Sequence, residues 1–350
     1  MAFTTIDDPS KYFQITLYTG NASSRSITNG GNSDMQPDWV WLKKRNEAQN
    51  HTVYDSNRGV GKILFPDGTD AEASSPSVVT AFDSDGFSLT ADALGNDNTD
   101  TYLSWQWKAN GGTTSSLSGG DIGITTTSQA NTTALFSINT YTGTGSQSAI
   151  GHGLGVKPDF ILIKNRDQAD SWFAWHNRLN NNQALELDTD VAVLTNNQYM
   201  GNEAPTTTTI GLGTGHDTNA SSEKYVCYAF AEVQGYSKFG SYTGNSNANG
   251  PFQFLGFKPA WLMIKPSTAQ SSWFIVDNKR DVENPANKYL QANSNAVEAT
   301  SDDKDIDFYA NGFKARANTG WFNDNGETYL YVAFAESPLV GSDGTPTTAF

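Results

Sequence analysis

The chain has 350 residues, of which 37% are hydrophobic and only 17% are charged, and its formal net charge is −15. This hydrophobic content excludes a disordered chain of the low-hydrophobicity, high-charge type. The acidic balance, with scattered Lys and Arg, argues against nucleic acid or an anionic membrane as a partner. The polar surface must come from Asn, Thr, Ser and Gly, which favour turns and strands over helix interiors, so the composition predicts an all-β fold.

The N-terminal segment, residues 1–10, has no charged n-region and no apolar h-region of the kind that marks a signal peptide. No stretch approaches the ~18 apolar residues of a membrane-spanning helix, and no membrane insertion is expected. By composition, residues 1–10 and 340–350 are predicted to be extended arms that become ordered by docking on neighbours.

Two short sequence markers occur three times along the chain. The first is Tyr-Thr-Gly, at Tyr18–Gly20, Tyr141–Gly143 and Tyr242–Gly244. The second is a proline followed by an apolar run that ends on a lysine, at Pro37–Lys43, Pro158–Lys164 and Pro259–Lys265. Such a run, with proline at its first position, is typical of a central β-strand that is buried on both faces.

Two further markers follow in the same order. The third is an aromatic run that leads to an arginine, at Val53–Arg58, Trp172–Arg178 and Trp273–Arg280. The fourth closes each copy, at Tyr102–Trp107, Tyr225–Glu232 and Tyr329–Glu336. Alternate residues of this closing run are bulky and apolar in every copy: Leu103, Trp105 and Trp107; Val226, Tyr228 and Phe230; Leu330, Val332 and Phe334. Apolar residues at every second position lie on one face of a β-strand, so this pattern predicts a strand with that face on a core.

The four markers divide the chain into three modules. Copies two and three are offset by 101 residues at the marker Gly and Pro and by 104 at the closing Tyr, while copies one and two are offset by 121–123. Modules 1, 2 and 3 are predicted to occupy residues 1–110, 134–236 and 237–350, with the two arms at the outer ends of modules 1 and 3. The Gly/Ser/Thr-rich segment 111–133 is predicted to be a flexible linker.

The spacing of the strand-like runs indicates the type of module. About 100 residues per copy, with runs separated by turns rich in Gly, Asn, Asp and Ser, are typical of a β-sandwich. That length is too great for a solenoid repeat, and three blades would be few for a propeller. The predicted fold class is therefore all-β, with three diverged β-sandwich-like repeat modules in tandem.

The sequence contains few patterns that indicate a catalytic, cofactor or metal site. It contains no His-Glu-x-x-His, Cys-x-x-Cys or Gly-x-Ser-x-Gly motif, and we predict neither an enzyme nor a cofactor site. Two acidic turns, one with Asp83 and Asp85 and the other with Asp97 and Asp100, could ligate calcium. Both lack the full EF-hand loop with its terminal Glu, so plain acidic turns are the favoured interpretation.

One cysteine, one histidine and a pair of tryptophans can also be interpreted from the sequence. Cys227 lies in an apolar strand-like run and is predicted to be a small buried hydrophobe. His176 is interpreted as a solvent-facing polar group at a strand end, in preference to a catalytic base. Trp172 and Trp175 are three residues apart and point to opposite faces of a strand, so at most one is expected to face solvent as a platform for a glycan.

Six phrases spread over nearly the whole chain carry a family resemblance. They are residues 1–10 (MAFTTIDDPS), Tyr18–Asn21, Ser56–Gly59, Thr69–Ala73, Phe82–Phe87 and Ala333–Pro338. As a set they resemble a family of virion structural proteins of tailed phages that infect marine cyanobacteria and related marine bacteria. Modules 2 and 3 depart from the most typical form because they lack the Asp-Ala-Glu-Ala phrase.

The resemblance implies a non-enzymatic protein on the virion surface, made and assembled in the host cytoplasm. A tail fibre or tail-associated protein that contacts the host is the first interpretation. A capsid or tail decoration protein that stabilises the particle is the alternative, and a glycan-binding or glycan-degrading module is the second alternative. The implied partners are other virion proteins, further copies of this chain in a homo-oligomer, and a host surface glycan or receptor. The family brings no catalytic residue, cofactor or metal ligand.

Overall fold

The computed structural model describes residues 3–75, 78–120, 123–317 and 321–347. Residues 1–2 and 348–350 of the predicted arms, and residues 121–122 of the predicted linker, lie outside the described residues. The all-β fold class is confirmed, because the regular structure of the described residues consists of β-strands, one short helix α1 (His216–Asn219) and two 3₁₀ turns, Pro9–Lys11 and Asp302–Lys304. Within the described ranges no helix has the length and apolar character needed to cross a bilayer.

Module 1 forms an inner and an outer sheet. Its strands are β1 (Phe13–Thr19), β2 (Arg25–Ile27), β3 (Trp39–Lys44), β4 (Thr52–Asp55), β5 (Lys62–Ile63), β6 (Ala73–Ser74), β7 (Val79–Asp83), β8 (Gly86–Leu89) and β9 (Thr101–Trp107). The inner sheet has the order β1-β9-β3-β4, the outer sheet has the order β2-β8-β7, and β5 pairs with β6.

Module 2 repeats this plan with additional strands. The strands are β10 (Ser115–Leu117), β11 (Gly123–Ile124), β12 (Thr126–Asn131), β13 (Phe136–Thr142), β14 (Ser148–Gly151), β15 (Phe160–Asn165), β16 (Phe173–His176), β17 (Gln183–Glu186), β18 (Leu194–Thr195), β19 (Thr209–Leu212) and β20 (Lys224–Phe230). The inner sheet has the order β10-β12-β13-β20-β15-β16-β17-β18, and the outer sheet has the order β11-β14-β19.

Module 3 completes the chain. Its strands are β21 (Ser237–Thr243), β22 (Phe252–Phe254), β23 (Phe257–Pro266), β24 (Phe274–Asp277), β25 (Lys288–Gln291), β26 (Ala299–Thr300), β27 (Ile306–Tyr309), β28 (Gly312–Ala315) and β29 (Thr328–Pro338). The inner sheet has the order β21-β29-β23-β24-β25-β26, and the outer sheet has the order β22-β28-β27.

One strand order recurs at the centre of all three inner sheets. In each inner sheet, the closing strand lies between the strand that contains the Tyr-Thr marker and the strand of the second marker. The strand of the third marker pairs with the other side of the second-marker strand. All of these pairings are antiparallel. The sequence markers therefore correspond to the central strands of the inner sheets.

The inner sheets of all three modules bury one face in a common core. The nine alternating residues of the closing strands β9, β20 and β29 all belong to it. Aromatic rings meet there across module boundaries: Trp39 lies 4.8 Å from Tyr228 and Trp107 lies 5.6 Å from Trp261, measured between ring centroids. The opposite faces of the inner sheets pack on the outer sheets in three separate cores, as expected for sandwich-like packing. Cys227 is buried in one of these, as predicted.

The segment 111–133 is not a flexible linker, and that prediction is wrong. It contributes β10 and β12 to the inner sheet and β11 to the outer sheet of module 2. β12 pairs along five residues with β13, from Thr127 opposite Thr140 to Asn131 opposite Phe136. A Ser/Thr-rich composition is as suitable for a strand as for a linker when a neighbouring strand supplies hydrogen bonds.

The described parts of the two predicted arms make contacts within the same chain. Ile6 is buried in the common core. Asp7 accepts hydrogen bonds from the backbone and hydroxyl of Ser342, at 2.6 and 2.5 Å, which joins the two arms to each other. Docking of the arms on neighbouring molecules stays a prediction.

The Tyr-Thr-Gly marker has a clear physical role. Its tyrosine stacks on the first tyrosine of the closing strand in every module, with ring centroids 5.3, 5.1 and 5.0 Å apart in Tyr18–Tyr102, Tyr141–Tyr225 and Tyr242–Tyr329. The glycine then lets the backbone pass close to a neighbouring loop. A Cβ atom at Gly20, Gly143 or Gly244 would overlap the carbonyl oxygen of Asp97, Ala220 or Asp324.

We therefore expect Gly244→Ala to lower the free energy of unfolding by about 2–3 kcal/mol, because the loop at Asp324 must move to admit the methyl group. Gly30→Ala is the matched control, since nothing lies within 4 Å of a Cβ at that position and its φ is not positive. Urea unfolding measures both variants. Equal stability of the two variants would contradict this role of the marker glycine.

Candidate interaction surface

The modules contact one another in a closed cycle through the last residue of each third-marker strand. We call these contacts the 1→2, 2→3 and 3→1 junctions. The Asp55 carboxylate accepts a hydrogen bond from Tyr228 (2.6 Å), the His176 ring bonds to the Tyr331 carbonyl (3.1 Å), and the Asp277 carboxylate accepts one from Trp105 (3.2 Å). The third junction brings module 3 back to module 1.

The lysine of the second marker spans each junction. Lys43, Lys164 and Lys265 are fully buried, and their amines donate to carbonyl oxygens of the neighbouring module at Asn295 (3.1 Å), Thr69 (3.0 Å) and Asp190 (3.3 Å). Burial lowers the pKa of all three amines to about 8. Each amine also donates to a carbonyl of its own module, so it binds two modules together.

Two of the junctions contain a buried network of four charged side chains. At the 1→2 junction, Arg58 bonds to Asp55 at 2.5 Å and to Glu72 at 3.1 Å, and Arg166 of module 2 bonds to Glu72 at 2.8 Å. At the 3→1 junction, Asp277, Arg280, Glu298 and Arg45 of module 1 take the same places. Both networks contain two cations and two anions, so the buried charge is balanced.

The central glutamates of the networks are held ionised. Burial alone would raise the pKa of Glu72 and Glu298. Hydrogen bonds from Arg166 and Arg45, and the charges of the arginines around them, outweigh burial, so both pKa values lie below the ordinary value for Glu.

The 2→3 junction has the same backbone contact, but among the described residues it has no matching network of four charged side chains. Val193 donates to the Ser267 carbonyl just as Glu72 donates to Arg166 and Glu298 to Arg45. Arg178, which the sequence aligned with the other two marker arginines, is exposed. The half-buried Leu179 packs against the common core instead. The arginine of the third marker is therefore displaced by one residue in module 2.

The interpretation of His176 as a solvent-facing group is wrong. It is 2% exposed. Its Nδ1 accepts from the backbone N–H of Arg178 at 3.1 Å, which leaves Nε2 as the donor to Tyr331. Burial lowers its pKa to about 4, so the ring is a neutral structural group at the 2→3 junction. Trp172 and Trp175 are also both buried, and Trp172 donates to the Phe65 carbonyl across the 1→2 junction.

The calcium candidates Asp97 and Asp100 bind a lysine instead. The Lys44 amine lies 3.1 Å from Asp97 and 2.6 Å from Asp100. A cationic amine between two carboxylates offsets part of the negative charge that would attract a metal ion. Both acidic groups are thus part of an ion pair that holds the loop before β9 against β3.

The other two candidates, Asp83 and Asp85, stabilise a turn. Asp83 accepts from the Ser88 hydroxyl at 2.7 Å, and Asp85 accepts from the backbone N–H of Met35 at 3.2 Å. Among the residues that the structure describes, no group of three His, Cys, Asp or Glu side chains is arranged to hold a metal ion.

The fold also brings together carboxyl groups that the sequence did not single out. Asp217, in α1, lies beside Asp170. Burial and the hydrogen bond that Asp217 shares with Asp170 raise the pKa of Asp217 above its usual range. Glu186 and Asp188, further along the chain, also have raised pKa values because they are buried. Glu186, Asp188 and Asp217 are 16, 18 and 47 positions from Asp170 in sequence, and only the fold shows that they are neighbours.

A groove of about 530 Å³ opens at the 3→1 junction, and we call it the edge groove. One side is β1, from Phe13 to Leu17, and the other is formed by Asn278, Lys279 and Glu336 of module 3. The Oδ1 atom of Asn278 is buried and has no hydrogen-bond partner among the described residues.

A second groove of about 410 Å³ adjoins it and shares Lys279 and Glu336. Its wall includes Val282, which is 84% exposed, and Tyr309, whose ring centroid lies 5.9 Å from that of the exposed Phe252. We call it the aromatic groove. These two grooves thus combine amides, charges of both signs and exposed aromatic rings.

Removing the central charge of the 3→1 network is expected to destabilise the whole chain. Glu298→Gln removes a negative charge that partly balances the positive charge of the buried Arg280. We therefore expect the free energy of unfolding to fall by about 2–4 kcal/mol. Glu336→Gln is the control, because the Glu336–Lys258 pair has the same distance of 2.8 Å as the Glu298–Arg45 pair but is about one-third exposed. The control should change stability by no more than about 0.5 kcal/mol. Chemical unfolding tests this, and similar losses in both variants would contradict it.

Stability is expected to fall on mild acidification. The pKa of His176 is about 4 in the folded chain and near its usual value of 6.5 in the unfolded chain. The unfolded state therefore binds more protons between these values, and stability decreases as the pH falls from about 6.5 to about 4, by at most about 3 kcal/mol for this residue. His51 and His152 act in the same direction. His176→Gln keeps a donor towards Tyr331 and should show a shallower pH dependence; identical slopes would exclude a contribution from His176.

Comparison with known proteins connects this architecture to one family. No curated protein sequence matches the chain. A family model described as a domain of unknown function, DUF7483, matches residues 8–338, which include the central strands of all three modules and all three junctions. The chain therefore belongs to the DUF7483 family of unknown function.

Proposed function

We propose that this chain is a non-enzymatic structural protein on the surface of a tailed-phage virion, as a tail fibre or tail-associated protein that contacts the host. The observation that carries the proposal is the closed cycle of junctions. Arg45 and Glu298 are 253 residues apart in sequence, and a bidentate ion pair joins them at 2.9 and 2.8 Å. Such closure ties the first module to the last and suits a particle component that must persist outside a cell.

Two of the six phrases that carry the phage resemblance lie at the 1→2 junction. Ser56–Gly59 contains Arg58, and Thr69–Ala73 contains Glu72 together with the carbonyl that binds Lys164. Tyr18–Asn21 contains the marker glycine that lies against the loop at Asp97. These three phrases therefore contribute contacts to the ring-closed fold. A family that shares them is expected to share that fold, and this supports the assignment to the same class of virion protein.

The aromatic groove is the surface that we propose for contact with a host glycan. Tyr309 and Phe252 offer partly exposed ring faces, and Glu283 provides an exposed carboxylate in the same groove. Apolar ring faces next to hydrogen-bond acceptors match the alternation of apolar faces and hydroxyl groups on a sugar. This proposal replaces Trp172 and Trp175, which are buried.

Immunogold labelling of intact particles with an antibody against this chain tests the location. We expect label on the tail. Label spread over the head would instead support a capsid decoration protein, and shell stability would then be the property to measure. Particles that label for other structural proteins but not for this chain would contradict a role on the virion surface.

A further inference from the structure

Module 2 shows what an inner-sheet edge looks like when it is covered. The outward backbone groups of β13 pair with β12, in antiparallel register. Module 1 contributes to this contact: the Asn57 amide donates to the carbonyls of Thr127 and Ile138, at 3.0 and 2.8 Å, and the Ser56 hydroxyl bonds to the Gln129 side chain at 3.1 Å. The 1→2 junction thus forms a slot that a strand of the same chain fills.

The equivalent edge in module 1 is open. The backbone N–H of Lys108 donates to the Tyr12 carbonyl, and that of Gly20 donates to the Asp100 carbonyl. These two bonds determine which residues of β1 direct their N–H and C=O groups towards β9. Since bonded residues alternate in an antiparallel pair, the N–H and C=O groups of Ile15 and Leu17 point away from β9. Within the described ranges, no residue pairs with these groups. Ile15 occupies the ladder position that Ile138 occupies in module 2.

The edge groove is the open counterpart of the filled slot. Asn278 donates its backbone N–H to the Ala260 carbonyl as Ser56 does to that of Asp38, so Asn278 and Lys279 correspond to Ser56 and Asn57. At the 1→2 junction these positions bind β12; at the 3→1 junction they face about 530 Å³ of open space. The unpaired Oδ1 of Asn278 and the exposed Lys279 amine are available to the side chains and carbonyls of an incoming strand.

We propose that the edge groove binds an extended segment of a partner polypeptide, which adds to the inner sheet of module 1 as an antiparallel strand beside β1. The main chain of the segment would pair with Ile15 and Leu17, and the Lys279 amine would donate to one of its carbonyls, as Asn57 does at the filled slot. This inference does not depend on the proposed virion function.

The chemistry of the segment follows from the filled slot. The side chains of β12 that are buried there are Thr126, Ser128 and Gln129, all polar and without charge. Gln129 accepts hydrogen bonds from Ser56 and from the Gly112 backbone. The partner segment is therefore a Ser/Thr/Gln-rich strand, whose side-chain amide can pair with the Oδ1 atom of Asn278.

A peptide with the sequence of residues 124–133, ITTTSQANTT, serves as the probe. Binding to the intact chain is followed by fluorescence anisotropy of labelled peptide, and the position is mapped by hydrogen exchange. We expect saturable binding and slower exchange of the amides of Ile15 and Leu17. Leu17→Pro removes an outward N–H that the β1–β9 ladder does not use and should weaken binding about fivefold, the equivalent of one hydrogen bond.

Ser241→Pro is the matched control, because Ser241 holds the same ladder position on β21, at a junction where the edge groove is not present. It should bind the peptide as the unmodified chain does. Lys279→Glu, at an exposed side chain, tests the same groove without changing a strand. Absence of binding at about 1 mM peptide, protection elsewhere, or equal affinity of Leu17→Pro would overturn the proposal. So would self-association of the chain that Leu17→Pro abolishes, since the occupant would then be a second copy.

Discussion

The common core is the constraint on which the rest of this structure depends. Each inner sheet is apolar on both faces, and its own outer sheet covers only one of them. The other face must be covered by the remaining two modules, and Trp39, Trp107 and Trp261 meet there with the closing strands. A single module would leave such a face in water, at a cost of about 25 cal/mol per Å² of apolar surface. The three modules therefore share one core.

Packing alone does not determine how the modules are ordered around the core, and the junctions supply that specificity. The buried lysines make the same contact at every boundary, whereas the residues around them differ. A charged network can pair only with its complement, because an unmatched buried charge is strongly unfavourable. Arg166 therefore suits Glu72, whereas at the 2→3 junction Val193 and Ser267 make the corresponding backbone contact.

Much of the fold could be predicted from the sequence because its signals are local. Period two in the closing runs identified the residues that lie in the core, and the apolar second marker identified a strand buried on both faces. The remaining features depend on partners distant in the chain. Segment 111–133 is a set of strands only because β13 has an open edge beside it, and His176 is buried only because Tyr331 of module 3 covers it. Arg178 was misaligned because it lies in the turn after β16, where Leu179 takes the place that Arg58 and Arg280 have in the other modules.

The 3→1 junction is the boundary that depends most on non-covalent contacts. Modules 1 and 2 are joined by the short stretch 108–114, between β9 and β10, and modules 2 and 3 by Val233–Tyr236. Modules 3 and 1 have no direct covalent connection. Closing a longer loop loses more chain entropy, and the ion network at the 3→1 junction helps to offset that loss. The edge groove opens at this same boundary.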